Sequence, residues 1–123
     1  MRFGWERFLT LAEELAQRPD SDDAALRSSV SRAYYAAFGK AADRIEADTG
    51  SRPDWADAHK QVWEHFEGAG DRFRREIGQT GKRLKFQRIR ADYRGAEVIS
   101  RTDVSNSIDH AQRILTRLGQ LVK

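Results

Sequence analysis

Apolar residues along the chain recur at three- and four-residue intervals, and no stretch alternates apolar with polar as a half-buried strand would. Trp5, Phe8, Leu9, Ala12, Leu15 and Ala16 share one face and predict a first helix over residues 2–18. Pro19 closes it, because the proline ring cannot continue the hydrogen-bond ladder. Asp20 and Ser21 are placed to cap a second helix, with Asp22 and Asp23 suited to its positive end. That helix, over 22–48, carries Leu26, Val30, Ala33, Tyr34, Ala37, Ala41 and Ile45 at helical spacing. Its face is rich in small residues (Ala33, Ala36, Ala37, Ala41, Ala42), so another helix can approach closely. Gly50 is available for a left-handed cap.

A third helix is predicted over 54–67, with His59, Val62, Trp63 and Phe66 on one side and Gly68-Ala69-Gly70 as its breaker. Gly78 and Gly81 weaken the helix that follows, so the pattern predicts a short turn over 71–77 and a firmer helix over 81–94. Thr102 reads as the N-cap of a last helix, whose stripe is Val104, Ile108, Ala111, Ile114, Leu115, Leu118 and Leu121. The expected fold is all-α: an antiparallel bundle of four to five helices forming one domain over residues 1–123.

Composition agrees with a globular helical domain, at 39% hydrophobic and 33% charged residues. No apolar run is long enough to cross a membrane. The opening Met-Arg-Phe-Gly-Trp-Glu has no signal-peptide core, so a cytoplasmic location is expected. With no cysteine, disulfides, cysteine–zinc sites and thiol nucleophiles are excluded. His59, His65 and His110 lack metal-helix spacing, so no metal is expected, and no cofactor motif is present. Gly78-x-x-Gly81-Lys82 is only a fragment of a phosphate loop, and Ser28, Ser29 and Ser31 sit in no nucleophile elbow.

The net charge of +3 is unevenly spread. Residues 71–94 hold nine Lys and Arg against three Asp and Glu, whereas residues 1–70 are net acidic. Such asymmetry points to a polyanion or acidic partner, or else to a solvated helix face paired with acids from the earlier helices. Two segments concentrate Arg and Tyr within apolar helices, residues 28–38 and residues 84–93. On a structural reading, Tyr34, Tyr35 and Tyr93 are core aromatics, and Asp92 pairs with Arg32 or Arg88 across a helix seam. On a functional reading, these groups line a cleft for an RNA phosphate or nucleotide, because a guanidinium fork grips phosphate bidentately.

Ser31-x-x-Tyr34-Tyr35-Ala36-Ala37-Phe38, His59 opening a middle helix, and Arg88-x-x-Ala91-Asp92-Tyr93 before a final amphipathic helix occur in that order. In this the chain resembles small stand-alone HEPN-domain proteins of bacteria and archaea, over about residues 5–121. The resemblance implies a homodimeric helical bundle and a role in a toxin–antitoxin or phage-defence system. Many HEPN proteins are metal-independent ribonucleases, and a common partner is a nucleotidyltransferase-type antitoxin. Dimerisation would be consistent with the small face of the second helix and the stripe of the last, although one chain could satisfy both.

Where catalytic HEPN proteins carry an Arg, four to six residues, and a His in a late helix, this chain has Phe86 and Ala91, and Gly39 stands where relatives often have another His. Without imidazole there, no general base with a pKa near neutrality is at hand. One formal match, Arg52 with six residues to His59, crosses a loop with Pro53 and reads as a chance hit in the wrong part of the bundle.

The expected function is therefore an RNA- or partner-binding module through Arg32, Tyr34, Tyr35, Lys82, Arg83, Lys85, Arg88, Arg90 and Arg94. The alternative is a ribonuclease with a non-standard site built from Arg88, Asp92, Tyr93 and His59 at a dimer interface. The resemblance further implies that Tyr93 can be nucleotidylated by an antitoxin, with Arg88, Arg90 and Arg94 to receive the phosphate.

Overall fold

The computed structural model describes residues 2–54 and 56–121. Among them lie five α-helices and no strand: α1 (Glu6–Gln17), α2 (Asp23–Thr49), α3 (Ala58–Glu67), α4 (Arg72–Tyr93) and α5 (Arg101–Gln120). None is long and apolar enough to cross a membrane. The long α2 packs against each of the other four helices. Short connections join α1 to α2, α3 to α4 and α4 to α5, and each of these pairs packs together, as antiparallel helical hairpins do.

The alanine face of α2 explains its central place. Ala33, Ala36, Ala37 and Ala41 are wholly buried, so the neighbouring helices close on short side chains. The main core adds Leu9 and Ala12 from α1, Val62, Trp63 and Phe66 from α3, Ile77 and Leu84 from α4, and Ala111, Ile114 and Leu118 from α5. A smaller cluster of Val30, Ala91, Ile99 and Val104 seals one end. Both faces on which the dimer expectation leaned are thus consumed within one chain.

Several boundaries depart from the sequence pattern. Residues 2–5 precede α1 rather than opening it, with Phe3, Trp5 and Phe8 clustered ring against ring. Arg2 ties this segment to Asp43 and Glu46 of α2. Asp22, not Asp20 or Ser21, caps α2 by accepting the Ala25 N–H at 2.9 Å, while the Ser21 hydroxyl donates to the Leu15 carbonyl. Gly50 closes α2 with φ 79°, as the sequence suggests. The third helix starts at Ala58 rather than 54; residue 55 of that expected start lies outside the described residues. The last helix is capped by Ser100, not Thr102. Ser100 accepts the Asp103 N–H and Asp103 accepts the Ser100 N–H, both at 3.0 Å, a complete capping box.

The largest correction concerns α4, which runs unbroken through Gly78 and Gly81. Both glycines are buried at the crossing with α3. A Cβ on Gly78 would lie 2.6 Å from the Trp63 carbonyl oxygen, and one on Gly81 would fall within the Trp63 ring. The glycines that weaken α4 as an isolated helix are what let α3 dock on it, and burial of Trp63 outweighs a propensity loss of about 1 kcal/mol per glycine.

Replacing Gly81 by Ala is therefore expected to destabilise the protein by about 1–3 kcal/mol despite the better helix propensity of Ala. Gly119→Ala in α5, where nothing lies within 4 Å, is expected to be neutral or slightly stabilising. Urea denaturation of both variants checks the opposite signs. A stabilised Gly81→Ala would mean that Trp63 does not hold the α3–α4 crossing.

Candidate functional site

The two Arg/Tyr segments lie on the packed helices α2 and α4, and α3 brings His59 beside them. Trp63 donates its indole N–H to the Tyr34 hydroxyl at 3.1 Å, and that hydroxyl lies 2.7 Å from Nδ1 of His59. Tyr34 is fully buried, and desolvation pushes its phenol far above the usual range, so it keeps its proton. Its oxygen already accepts from Trp63, and its proton has Nδ1 of His59 as acceptor. Assigning the hydroxyl proton to that contact places the proton of His59 on Nε2. Burial lowers the pKa of His59, and the nearby positive charges of Arg88 and Lys85 lower it further, so the ring is held neutral. Phe38 stacks on that ring with centroids 4.4 Å apart.

Arg88 is the hub of the α4 side. Its Nε donates to Asp92 at 2.9 Å, and its Nη2 donates to the hydroxyls of Tyr35 at 2.6 Å and Tyr93 at 3.3 Å. The same guanidinium lies 5.2 Å from the centroids of both the Tyr35 and Tyr93 rings. Asp92 also accepts from the Ser31 hydroxyl at 3.2 Å, which joins α2 to α4. Of the two candidates Arg88 alone pairs with Asp92, and it does so four residues away within α4 rather than across a helix seam. Arg32 instead donates to Ser31 and lies over the Phe8 and Tyr35 rings, at 4.7 and 5.1 Å.

Two concavities flank the Tyr35–Arg88 contact. One, of about 700 Å³, is walled by Trp5, Phe38, Pro53 and Ala58 and carries Arg52, His59, Arg88 and Tyr35. The other is a shallower cleft of about 580 Å³ that presents Ser28, Ser31, Arg32, Asp92 and Tyr93. Arg52 and His59, whose spacing reads from the sequence as a chance match across a loop, both line the larger cavity. The loop after α2 folds Arg52 back onto α2, where it pairs with Asp43 at 2.5 Å. Trp5 reaches that cavity because Gly39 beneath it has no side chain; a Cβ there would overlap the indole. Among the described residues no cluster of three or more metal-ligating side chains exists.

The remaining predicted residues divide. Tyr34 is a core aromatic, whereas Tyr93 is 70% exposed and so is not the core residue of the structural reading. Arg90 bonds Glu97, Gln87 and the Val98 carbonyl, so it braces the loop before α5 rather than facing Tyr93. That leaves Arg88 and Arg94 of the three arginines expected near Tyr93; Arg94 sits 3.5 Å from Glu97. Lys82 pairs with Glu67 at 2.5 Å, and Lys82 and Arg83 face a separate groove toward α5.

Arg27 escaped the sequence reading. Its Nη1 donates to the carbonyls of Arg90, Ala91 and Arg94, and its Nη2 to that of Glu97, a cation seated on the C-terminal end of α4. No periodicity announces such a role, because these carbonyls lie more than sixty residues away; the ion pair with Asp23 is its one local contact among those of the described residues. Arg52 did carry a signal, its spacing to His59. Phe38 carried one too, as part of the tyrosine motif.

The chain matches no family model, and no curated protein or solved structure matches it.

His59 and His110 both have proton affinities lowered by burial. The unfolded chain, with histidines near 6.5, then binds more protons than the folded one as pH falls. Stability therefore rises with pH through that window and is lost on acidification below about 6.5, ahead of the carboxylates. Urea midpoints between about pH 7 and pH 5 should fall for the wild type and fall less for His59→Gln with His110→Gln. Equal slopes would show that neither ring is held neutral by the fold.

Proposed function

We propose that this protein is a HEPN-like module that binds single-stranded RNA without cleaving it, as part of a toxin–antitoxin or phage-defence system. The observation that carries this reading is the cavity of about 700 Å³ in which aromatic walls meet Arg52, Arg88 and His59. Flat rings accept a nucleobase by stacking, and the guanidinium groups accept its phosphate. The order of the tyrosine motif, His59 and Arg88-x-x-Ala91-Asp92-Tyr93 supports the likeness to HEPN proteins.

Absence of the standard catalytic pair supports binding over cleavage. Phe86 is exposed at the position where the Arg would stand, and Ala91 is buried at that of the His. His59 could replace the missing imidazole only with a free lone pair toward the ligand. Its Nδ1 is occupied by Tyr34, so the nitrogen left for the cavity is the protonated Nε2. In that tautomer His59 donates a hydrogen bond to an anion and does not take a proton from a 2′-hydroxyl. The ribonuclease alternative draws support from the gathering of Arg52, His59 and Arg88 in one cavity, and it requires the other tautomer. Exposure of Tyr93 beside Arg88 supports a contact with a nucleotidyltransferase-type partner.

The test is to mix the purified protein with labelled single-stranded RNA and with tRNA in EDTA, with Arg52→Ala and His59→Ala in parallel. Saturable binding that weakens steeply between about 50 and 200 mM salt is expected, about tenfold or more weaker for Arg52→Ala, with no cleavage. Cleavage that disappears in His59→Ala would establish the ribonuclease instead. No binding at any salt would remove the RNA reading altogether.

A further inference from the structure

The groove between α4 and α5 lies apart from the site above and shares none of its lining residues. It measures about 440 Å³ and is bordered by Lys82, Arg83, Phe86 and Gln87 of α4 and by Asp103, Asn106 and His110 of α5. Its charges are not equally free. Lys82 is taken by Glu67, and Asp103 serves the capping box of α5 and faces Arg90 at 3.6 Å. Arg83 has no hydrogen bond or ion pair among the described residues, and neither does the side chain of Asn106. Phe86 stands on the same wall at 53% exposure.

A second observation comes from His110, which borders the groove. Nδ1 of His110 is buried and has no hydrogen-bond partner. Buried ring nitrogens are ordinarily satisfied, so an orphan of this kind marks a place where a partner group belongs. The ring is neutral, through burial and the nearby Arg83, and so offers one donor and one acceptor.

A face built for self-association would set Phe86 among further exposed apolar side chains, whereas every other residue lining this groove is polar or charged. This groove instead sets one exposed aromatic ring between an unpaired guanidinium and two groups that read hydrogen-bond patterns. That combination matches a nucleotide: a base on the ring, its edge toward Asn106 and His110, and its phosphate on Arg83.

We propose that the α4–α5 groove is a second nucleotide-binding site, on which single-stranded RNA stacks a base against Phe86 and sets a phosphate on Arg83. The inference rests on the RNA reading given above and adds a site to it. A strand held at both places would cross α4 from the Arg88 side to the Phe86 side.

Fluorescence anisotropy with a labelled single-stranded RNA of about twelve nucleotides tests it, using the full chain and the variants Phe86→Ala, Arg83→Gln and Arg52→Ala. Phe86 and Arg83 are surface residues, and thermal melting of each variant should match the wild type. Phe86→Ala is expected to weaken binding about five- to a hundredfold. Arg83→Gln is expected to lower the slope of log affinity against log salt by about 0.7, the signature of one lost phosphate contact on a single strand. The His110 ring signals should shift on RNA addition. If RNA binds and only Arg52→Ala weakens it, the second site is refuted while the RNA reading stands. If the wild type binds no RNA, both fall. If Phe86→Ala converts a dimer to a monomer in light scattering, the groove is a self-association face and the proposal is overturned.

Discussion

The contact on which the rest of this structure depends is the buried meeting of Trp63 with Tyr34 over Gly81. The indole lies on α4, where only glycine leaves room, and its N–H reaches into α2 to the Tyr34 hydroxyl. Three helices are fixed by one side chain. A polar group buried this deeply is costly unless its hydrogen bonds are completed, so the Tyr34 proton must find an acceptor as well. It finds His59, at the start of α3. The orientation and tautomer of the cavity histidine are thus consequences of core packing.

Arginine supplies the second layer of order. Arg27 sits on the carbonyl end of α4, Arg90 braces the loop that follows, and Arg88 joins Asp92 to the tyrosines of α2 and α4. The basic excess of residues 71–94 is therefore divided. Part is neutralised by Glu67, Asp71, Asp92 and Glu97. Of the remainder, Arg83 faces the α4–α5 groove, while Arg75 bonds the Gly70 carbonyl. Charge counting found the asymmetry but could not separate a brace from a ligand group. That separation depends on which carboxylates and carbonyls the fold brings within reach.

The candidate site was legible to different depths at different residues. Tyr34, Tyr35, His59, Arg88 and Asp92 stood out because polar groups on an apolar helix face demand partners. The partners themselves were less legible. Asp92 had two eligible arginines, and helix geometry chose Arg88 at four residues' distance, leaving Arg32 to the Phe8 and Tyr35 rings. Arg52 was set aside because Pro53 and a loop separate it from His59, yet its ion pair with Asp43 folds that loop over the cavity. Trp5 entered the cavity wall only because the helix below it has Gly39, a relation that no local pattern encodes.

What the sequence by itself determined is an all-helical chain of four to five helices, the small-residue face of α2 and the apolar stripe of α5, because these are written in three- and four-residue spacing. It also determined the chemistry on offer: arginine, tyrosine and histidine, with no thiol. The tertiary structure decided the continuity of α4. Two glycines that read as breakers became the floor on which Trp63 packs, since burying a large aromatic outweighs the backbone entropy they cost. It also decided that the alanine face closes within one chain, that Tyr93 stays outside while Tyr34 goes in, and that the Tyr34 hydroxyl meets Nδ1 of His59. These outcomes rest on long-range contacts between residues tens of positions apart, which local spacing does not specify.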